Sequence, residues 1–364
     1  MKNLYQQAYE SLSGRDMPKI SVAMGFDGCI DTIAKPIEHV SKDEKKYFSN
    51  ISAFGNFIIK KASLSCCIEL DTFTKKSGGN MPNYAAALSA FGVTCDCIGA
   101  LGYPKIHDLF EALGENVKIT SVAEAGQCTA LEFDDGKIML ADNKEVGNLD
   151  YKLLLERVGR DNLIRWVEDN DALAFFNWSE LDGMTSVWRG FLDEILPHIS
   201  NKNKYMIVDI SDCSKRSAEE IREMGDMLRN FGKYFRVVFS LNLNENMLVS
   251  SAYGENSTNA KVSGETVFKL LNPHALVVHL VDGVLLFEGS ALTFLPTYKI
   301  NSPKISTGGG DNFNAGLSMA LLNGMDCKEA IAVANAASSF YVANGRSASI
   351  AELIAYLKDI KGKI

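Results

Sequence analysis

Three glycines stand directly before an acid at Gly308-Gly309-Gly310-Asp311, within the stretch STGGGDNFNAG at 306–316. Glycine loses more backbone freedom on folding than any other residue, so three in a row are expected only where bare backbone is needed. Phe313, Leu317, Ala320 and Leu321 recur at helical spacing after Asp311, which places the turn at a helix N-terminus. Free N–H groups and the positive end of the helix dipole make such a turn an anion site, with phosphate the expected ligand. An acid there is repelled by a phosphate unless it accepts a proton from an attacking hydroxyl. Asp311 is therefore a candidate general base, with a helix N-cap as its plainer alternative.

Two further stretches carry chemistry. In KSGGNMPNYAAALSAFG, residues 76–92, Pro82 suits a first helical turn and Gly92 a helix stop, so Gly78-Gly79-Asn80 forms a second glycine-rich helix start. Asn80 and Asn83 can each donate and accept, which suits a polyhydroxylated ligand. GFDGCID, residues 25–31, follows an apolar first strand, KISVAMGFD. Ligands of open α/β sheets bind outside the carboxyl ends of strands, which puts Asp27 and Asp31 where a ligand is expected. Asp27-Gly28 is also an ordinary turn pair.

The elements that must position these residues read as α/β. VTCDCIGAL, ALAFFNWSE, YMIVDIS, RVVFSLN and ALVVHLV are β-rich, and they alternate with helical stretches such as DYKLLLERVGRDNLIRWVED, SAEEIREMGDMLRNFG and KEAIAVANAASSFYVANG. The fold class is a doubly wound, largely parallel sheet sandwiched by helices. Two segments interrupt the alternation. TALEFDDGKIML carries an Asp135-Gly136 hairpin signal. The segment 31–74 looks helical at its centre and strand-like at its end. Both are expected in a small β-rich cap. The core is then 1–30, 75–117 and 142–364, and the discontinuous cap 31–74 and 118–141.

Composition narrows the function classes. The chain has 364 residues, 46% apolar and 23% charged, with no apolar run long enough for a membrane span, so a soluble protein is expected. The polar start MKNLYQQAYESLSGRD does not read as a secretory leader, and a cytoplasmic location is expected. A formal charge of -8 with no basic stripe gives no support for nucleic-acid binding. Eight cysteines without a Cys-x-x-Cys pair read as reduced thiols, and five histidines show no zinc-ligand spacing.

Taken together, these motifs resemble the ribokinase-like, or PfkB, carbohydrate kinases, in the right order and over most of the chain outside its N-terminal helix and residues 38–72. STGGGDNFNAG is similar to the family's C-terminal Thr-Gly-Ala-Gly-Asp signature, with Gly309 in place of alanine; SGGNMPNYAAALSAFG resembles its N-terminal Gly-Gly segment, and GFDGCID its opening substrate-binding stretch. The resemblance implies ATP-dependent phosphorylation of an alcohol, usually a hydroxymethyl of a sugar or nucleoside, with Mg2+ and, as a further candidate, a monovalent cation. It implies Asp311 as base and the N–H groups of Gly308, Gly309 and Gly310 as an anion hole. Asp31, Gly79, Asn80 and Asn83 would hold the acceptor, beside Gly78, with Asp27 the alternative carboxylate. The cap would be the family's lid, through which homodimers also form.

On the nucleotide side the resemblance loosens. In SLNLNENM, Asn244 takes the place of the asparagine of the family's Asn-x-x-Glu motif, whose glutamate position then falls on Met247, with Glu245 nearby as an indirect metal candidate. Gly283 and Asn335 are candidate nucleotide-pocket residues, and His279 replaces the usual threonine. Phe133 and Tyr103 are aromatic candidates for stacking on the acceptor or for lid packing. A sugar acceptor is favoured over a nucleoside. A non-catalytic sugar or nucleotide sensor is the alternative, resting on the altered Asn-x-x-Glu motif. A Rossmann dehydrogenase is disfavoured because no Gly-x-Gly-x-x-Gly follows the first strand.

Overall fold

In a computed structural model, which describes residues 3–14, 19–42, 44–305 and 307–363, the chain builds two sheets of unequal size. Ser306, first residue of the triple-glycine motif, lies outside the described residues, as do Met1, Lys2, 15–18, Asp43 and Ile364. The strands in chain order are β1 (Ser21–Phe26), β2 (Cys29–Val40), β3 (Lys45–Tyr47), β4 (Leu70–Gly78), β5 (Thr94–Gly99), β6 (Val117–Ser121) and β7 (Gly126–Phe133). There follow β8 (Gly136–Asp142), β9 (Ala172–Phe176), β10 (Tyr205–Asp209), β11 (Arg236–Asn242), β12 (Ala275–His279), β13 (Gly283–Glu288) and β14 (Ala291–Pro296).

The large sheet runs β14-β13-β12-β11-β10-β9-β1-β5-β6, parallel from β12 to β6 and closed at one edge by an antiparallel hairpin, β13–β14. Helices cover both faces, so its strands are continuous apolar runs rather than alternating ones. Val22 and Met24 of β1 enter one apolar layer with Leu88 and Ala330; Ala23 and Phe26 enter the other with Phe175 and Trp188. The helices expected after Asp311 and after Asn80 form at Gly309–Leu322 and Asn80–Ala90 and pack on each other. The long helical stretch near 151–169 is instead two helices, Tyr151–Arg157 and Arg160–Glu168, because Gly159 takes φ 86 between them. Among the described residues no helix is long and apolar enough to cross a membrane.

The small sheet orders as β3-β2-β7-β8, with β4 also paired to β2. It has its own apolar cluster, Phe48, Phe54, Leu131 and Phe133. Phe133 pairs with Gly136, so the hairpin turn is Asp134-Asp135, one residue earlier than the Asp135-Gly136 turn expected. The Asp135 carboxylate is used elsewhere: it accepts the Ile51 N–H at 2.9 Å, at the start of the Ile51–Lys60 helix. The segment 118–141 divides between the sheets, since β6 pairs with β5 in the large one. The chain passes from the large sheet to the small through Asp27-Gly28 and leaves β4 through Gly78-Gly79. Two of the three sequence motifs therefore lie side by side at the crossing.

Candidate active site

The carboxyl ends of β1, β9, β10, β11 and β12 open onto a cavity of about 550 Å³, also lined by the starts of the Asn80–Ala90 and Gly309–Leu322 helices. Asp27, Asp31, Gly79, Asn80, Asn83, Gly308, Gly310 and Asp311 all border it. The three motifs, the first two 53 residues apart at Asp27 and Asn80 and the third 228 residues beyond Asn83, thus meet at one place.

Asp311 is buried, and each of its carboxylate oxygens receives one amide. Asn80 Nδ2 donates to Oδ1 at 3.0 Å and Asn83 Nδ2 to Oδ2 at 2.9 Å. Both asparagines sit in the first turn of the Asn80–Ala90 helix, so the amides expected to face an acceptor are directed at the candidate base. Ser211 Oγ in turn donates to Asn80 Oδ1 at 3.1 Å.

The carboxylates Asp27 and Asp31 separate by their partners. Asp27 accepts the N–H groups of Asn80 at 2.7 Å and Met81 at 2.9 Å, with Asn177 Nδ2 at 3.2 Å. It closes the N-terminus of a helix that has no side-chain cap of its own. Asp31 faces the cavity, with Lys76 and Lys137 as the cations acting on it. The glycine pair explains itself against these acids. A Cβ on Gly78 would stand 2.5 Å from Asp31 Oδ2, and one on Gly79, at φ 94, 2.7 Å from Asp27 Oδ2.

The triple glycine divides differently. Gly308 caps the helix at φ 92, and a Cβ there would meet Tyr341 Oη at 2.7 Å. Gly309 and Gly310 have room for a methyl group, the nearest atoms standing 3.5 and 3.6 Å away. The fold itself does not require glycine at these two positions. The first intrahelical bond runs from Asn312 N–H to Gly308 C=O at 3.0 Å, which leaves the N–H groups of Gly309, Gly310 and Asp311 ahead of the ladder.

Burial shapes the electrostatics. Desolvation raises the carboxyls of Asp311, Asp209, Glu245, Asp27 and Asp31 above their ordinary range. Mutual repulsion adds to this: Asp209 acts on both Glu245 and Asp311. Amide hydrogen bonds oppose it at Asp311, as the Asn314 amide does at Asp209, at 2.8 Å. At Asp31 the leading influences include the cations Lys76 and Lys137; at Asp209, Glu245 and Asp311 they are burial, neighbouring carboxylates and hydrogen bonds. Such a crowd of buried carboxylates is a donor set suited to a hard divalent cation.

A second, more apolar cavity of about 420 Å³ shares Gly310 and His279 with the first and reaches Gly309, Phe313, Asn335 and Val342. Asn335 is buried on its wall and donates to Tyr5 Oη at 2.7 Å. Burial pushes the His279 imidazole down to about 4, so it is neutral, and its Nε2 has no partner.

Two sequence expectations need correction. Gly283 does not border either cavity; a Cβ there would lie 2.3 Å from the Phe294 ring, so its bareness serves the β13–β14 hairpin. Asn244 is exposed and outside the cavity. In its stead Asn242, last residue of β11, and Glu245 border the acid-lined cavity. They cap each other, Asn242 N–H donating to Glu245 Oε2 at 2.8 Å and Asn242 Nδ2 to Oε1 at 2.6 Å. Counted from Asn242, an unbroken Asn-x-x-Glu was present all along. Of the aromatic candidates, Phe133 is buried in the small sheet's cluster and Tyr103 lies under the Arg157 guanidinium, 3.7 Å from its ring centre.

Asp209, Asn177 and Ser211 escaped sequence reading. Each sits at or just past the carboxyl end of a buried strand, and Asn177 and Ser211 take φ 57 and 60, a left-handed backbone uncommon outside glycine. Strand-end polarity was the available signal.

The model of the prokaryotic ketohexokinase family matches residues 5–360. A ketohexokinase from Haloferax volcanii is 26% identical over 338 residues, covering 92% of this chain and 90% of that protein. Arabidopsis thaliana ribokinase, solved with ribose and ATP, superposes with a TM-score of 0.66 at 17% identity, over 94% of this chain and 99% of that one. A provisionally named ribokinase II from E. coli, in complex with ATP and Mg2+, gives 0.65 at 13% identity over 94% and 100%. At those identities the two structures speak for the fold alone.

Proposed function

The chain belongs to the prokaryotic ketohexokinase family, among the ribokinase-like carbohydrate kinases, and is an ATP-dependent sugar kinase; from that premise we propose that it phosphorylates a primary hydroxyl of a ketohexose. The observation that carries the reading is Asp311, a buried carboxylate in the first turn of a helix, on the acid-lined cavity and directly after Gly310, which borders both cavities. A hydroxyl placed against it can lose a proton as its oxygen bonds to the transferred phosphorus.

In this reading Asp311 takes that proton, and the bond from phosphorus to the oxygen of the leaving diphosphate breaks. The N–H groups at Gly309, Gly310 and the helix start receive the charge that grows on the phosphoryl oxygens, where fixed donors stabilise most. Asn80 and Asn83 hold Asp311 in place, and Asp31 accepts hydroxyls of the sugar. Two observations fit a magnesium nucleotide. Gly309 and Gly310 are bare without the fold needing it, and Asp209 and Glu245 lie buried on the same cavity, Asp209 adding to the rise that burial gives Glu245. These two acids, with Asn242, would hold Mg2+, which when bound neutralises charge on the phosphates. The apolar cavity by Phe313, Asn335 and Val342 would take the base of ATP.

The lid is the small sheet, and its closing would keep water from the phosphoryl group. Exposed Phe73 and Leu140 on that sheet support a homodimer through it. A monomer at micromolar concentration in sedimentation would remove that assembly. The sensor reading loses the motif on which it rested, since Asn242 and Glu245 stand at the family spacing.

The decisive experiment is an ADP-release screen with Mg-ATP over ketohexoses, aldoses, sugar acids and nucleosides, with Asp311→Asn as blank. Ketohexoses are expected to give the highest kcat/KM. A nucleoside or an aldose as best substrate would overturn the acceptor assignment, and activity equal in the blank would overturn the base.

A further inference from the structure

At the end of the large sheet opposite the cavities, three side chains of different elements converge. β12 runs from Ala275 toward His279 in the active site, so His274, just before it, lies at the far end. Glu288 ends the antiparallel β13 beside it, and Cys327 opens the Cys327–Asn344 helix. One ligand atom from each, an imidazole nitrogen, a carboxylate oxygen and Sγ, all lie within 4.8 Å of one another. Among the described residues no other three histidines, cysteines or acids meet that spacing.

We propose that His274, Glu288 and Cys327 form a binding site for a borderline-soft divalent cation, Zn2+ before Mg2+ or Ca2+. Ligand atoms around a tetrahedral Zn2+ with bonds of 2.0–2.3 Å stand roughly 3.3–3.8 Å apart, so the three need only small side-chain motion to close on it. A mixed N, O and S donor set selects against the hard cations that the active site uses. Charge balances: thiolate, carboxylate and neutral imidazole together offset two positive charges. His274 is exposed, which gives an entry path and leaves a fourth position for water, whereas Cys327 is buried and fixed as first residue of a capped helix.

The surrounding charges allow it. Arg236 is the nearby cation, but its guanidinium is engaged by Asn203 Oδ1 at 3.0 Å and Tyr205 Oη at 3.3 Å and stacks 4.9 Å over the Tyr205 ring. Without metal, burial and the Glu288 carboxylate push the Cys327 thiol up to about 12, with Asp326 acting in the same direction and Arg236 against it. Partial desolvation moves His274 down from its ordinary value, which favours the neutral, ligating imidazole. Binding must therefore expel the thiol proton, and affinity is expected to rise about tenfold per pH unit around neutrality. The bound ion would tie β12 and β13 to the helix that carries Asn335.

The test uses the untagged full chain with the exposed thiols Cys66 and Cys67 changed to serine, stripped by chelator and titrated with Zn2+. One equivalent per chain is expected, with a raised Tm, and His274→Ala and Glu288→Gln should each weaken binding by about tenfold or more. With Co2+ as probe, the parent should show a thiolate-to-metal charge-transfer band that Cys327→Ser lacks. Kinase activity of His274→Ala should equal that of the parent. Absence of stoichiometric uptake, or uptake undiminished in both His274→Ala and Glu288→Gln, overturns the site and assigns any bound Zn2+ to the active-site acids. Should Cys327→Ser not fold, the exposed His274 variant decides.

Discussion

Asn83 donates its side-chain amide to Asp311 Oδ2 at 2.9 Å across 228 residues of sequence. With Asn80 on the other oxygen, the carboxylate is oriented by a helix that belongs to a different motif. Because these bonds favour the ionised form against desolvation and the repulsion of Asp209, the asparagines set how readily Asp311 can serve as a base.

Removing the Asn83 amide should raise the Asp311 pKa. A general base must be ionised, so the acidic limb of the kcat/KM profile should move to higher pH in Asn83→Ala, with activity recovering in alkaline buffer. An unmoved limb with uniformly reduced activity would mean that Asn83 contacts substrate instead.

Asp311→Asn should lower kcat by roughly 10²–10⁴-fold with ATP binding changed by no more than a few-fold. Isothermal titration of ATP alongside the turnover assay separates the two, and near-parent turnover rejects the base assignment.

Asp27 and Asp31 should respond in opposite ways. Asp27→Ala removes the acceptor for two helix-terminal N–H groups and should cost about 1–3 kcal/mol of stability, read by denaturant titration. Asp31→Ala should leave stability nearly intact and raise the acceptor KM roughly ten- to hundredfold. The reverse pattern would exchange their roles.

The glycines should also separate. Gly308→Ala forces a side chain into left-handed backbone against Tyr341 and should cost about 1–2 kcal/mol. Gly309→Ala should fold normally and lose at least about tenfold in kcat/KM for ATP, because its methyl group intrudes on the approaching phosphate rather than on protein. Full activity in Gly309→Ala would argue against phosphate approach there.

Stability should depend on pH in a manner set by the buried acids. Asp209, Glu245, Asp27 and Asp311 have folded pKa values raised above the unfolded ones, so the folded state holds protons more tightly. The metal-free protein should therefore lose stability as pH rises from about 4, the ordinary carboxylate value, through the raised values. Mg2+ competes with those protons, so its stabilising effect on Tm should be larger at pH 8 than at pH 6. An Mg2+ effect independent of pH would place the cation away from these acids.

How much of this was legible depends on the range of the physics involved. The parallel strands showed as apolar runs, because each is buried on both faces whichever neighbours it has. The helix starts at Gly79 and Gly308 showed in glycine placement, because positive φ is a local demand. The small sheet's helix and hairpin were local signals too, although the hairpin turn shifted when Asp135 found a partner at Ile51. Counting from the end of β11 would also have recovered Asn242 and Glu245.

The sequence by itself thus determined the α/β layering and the residue types gathered for phosphoryl chemistry, since periodicity, turn conformation and helix termini depend on neighbours along the chain. Only the tertiary structure decided that Asp27 caps a helix while Asp31 faces the cavity, that Asn80 and Asn83 serve Asp311, and that Asp209 and Glu245 join the site. Those assignments rest on which oxygen meets which N–H across more than fifty residues of chain, and on the burial that raises the acids together. Neither distance nor burial is set by any short stretch of sequence; both arise when β1, β10 and β11 align their carboxyl ends beside two helix starts.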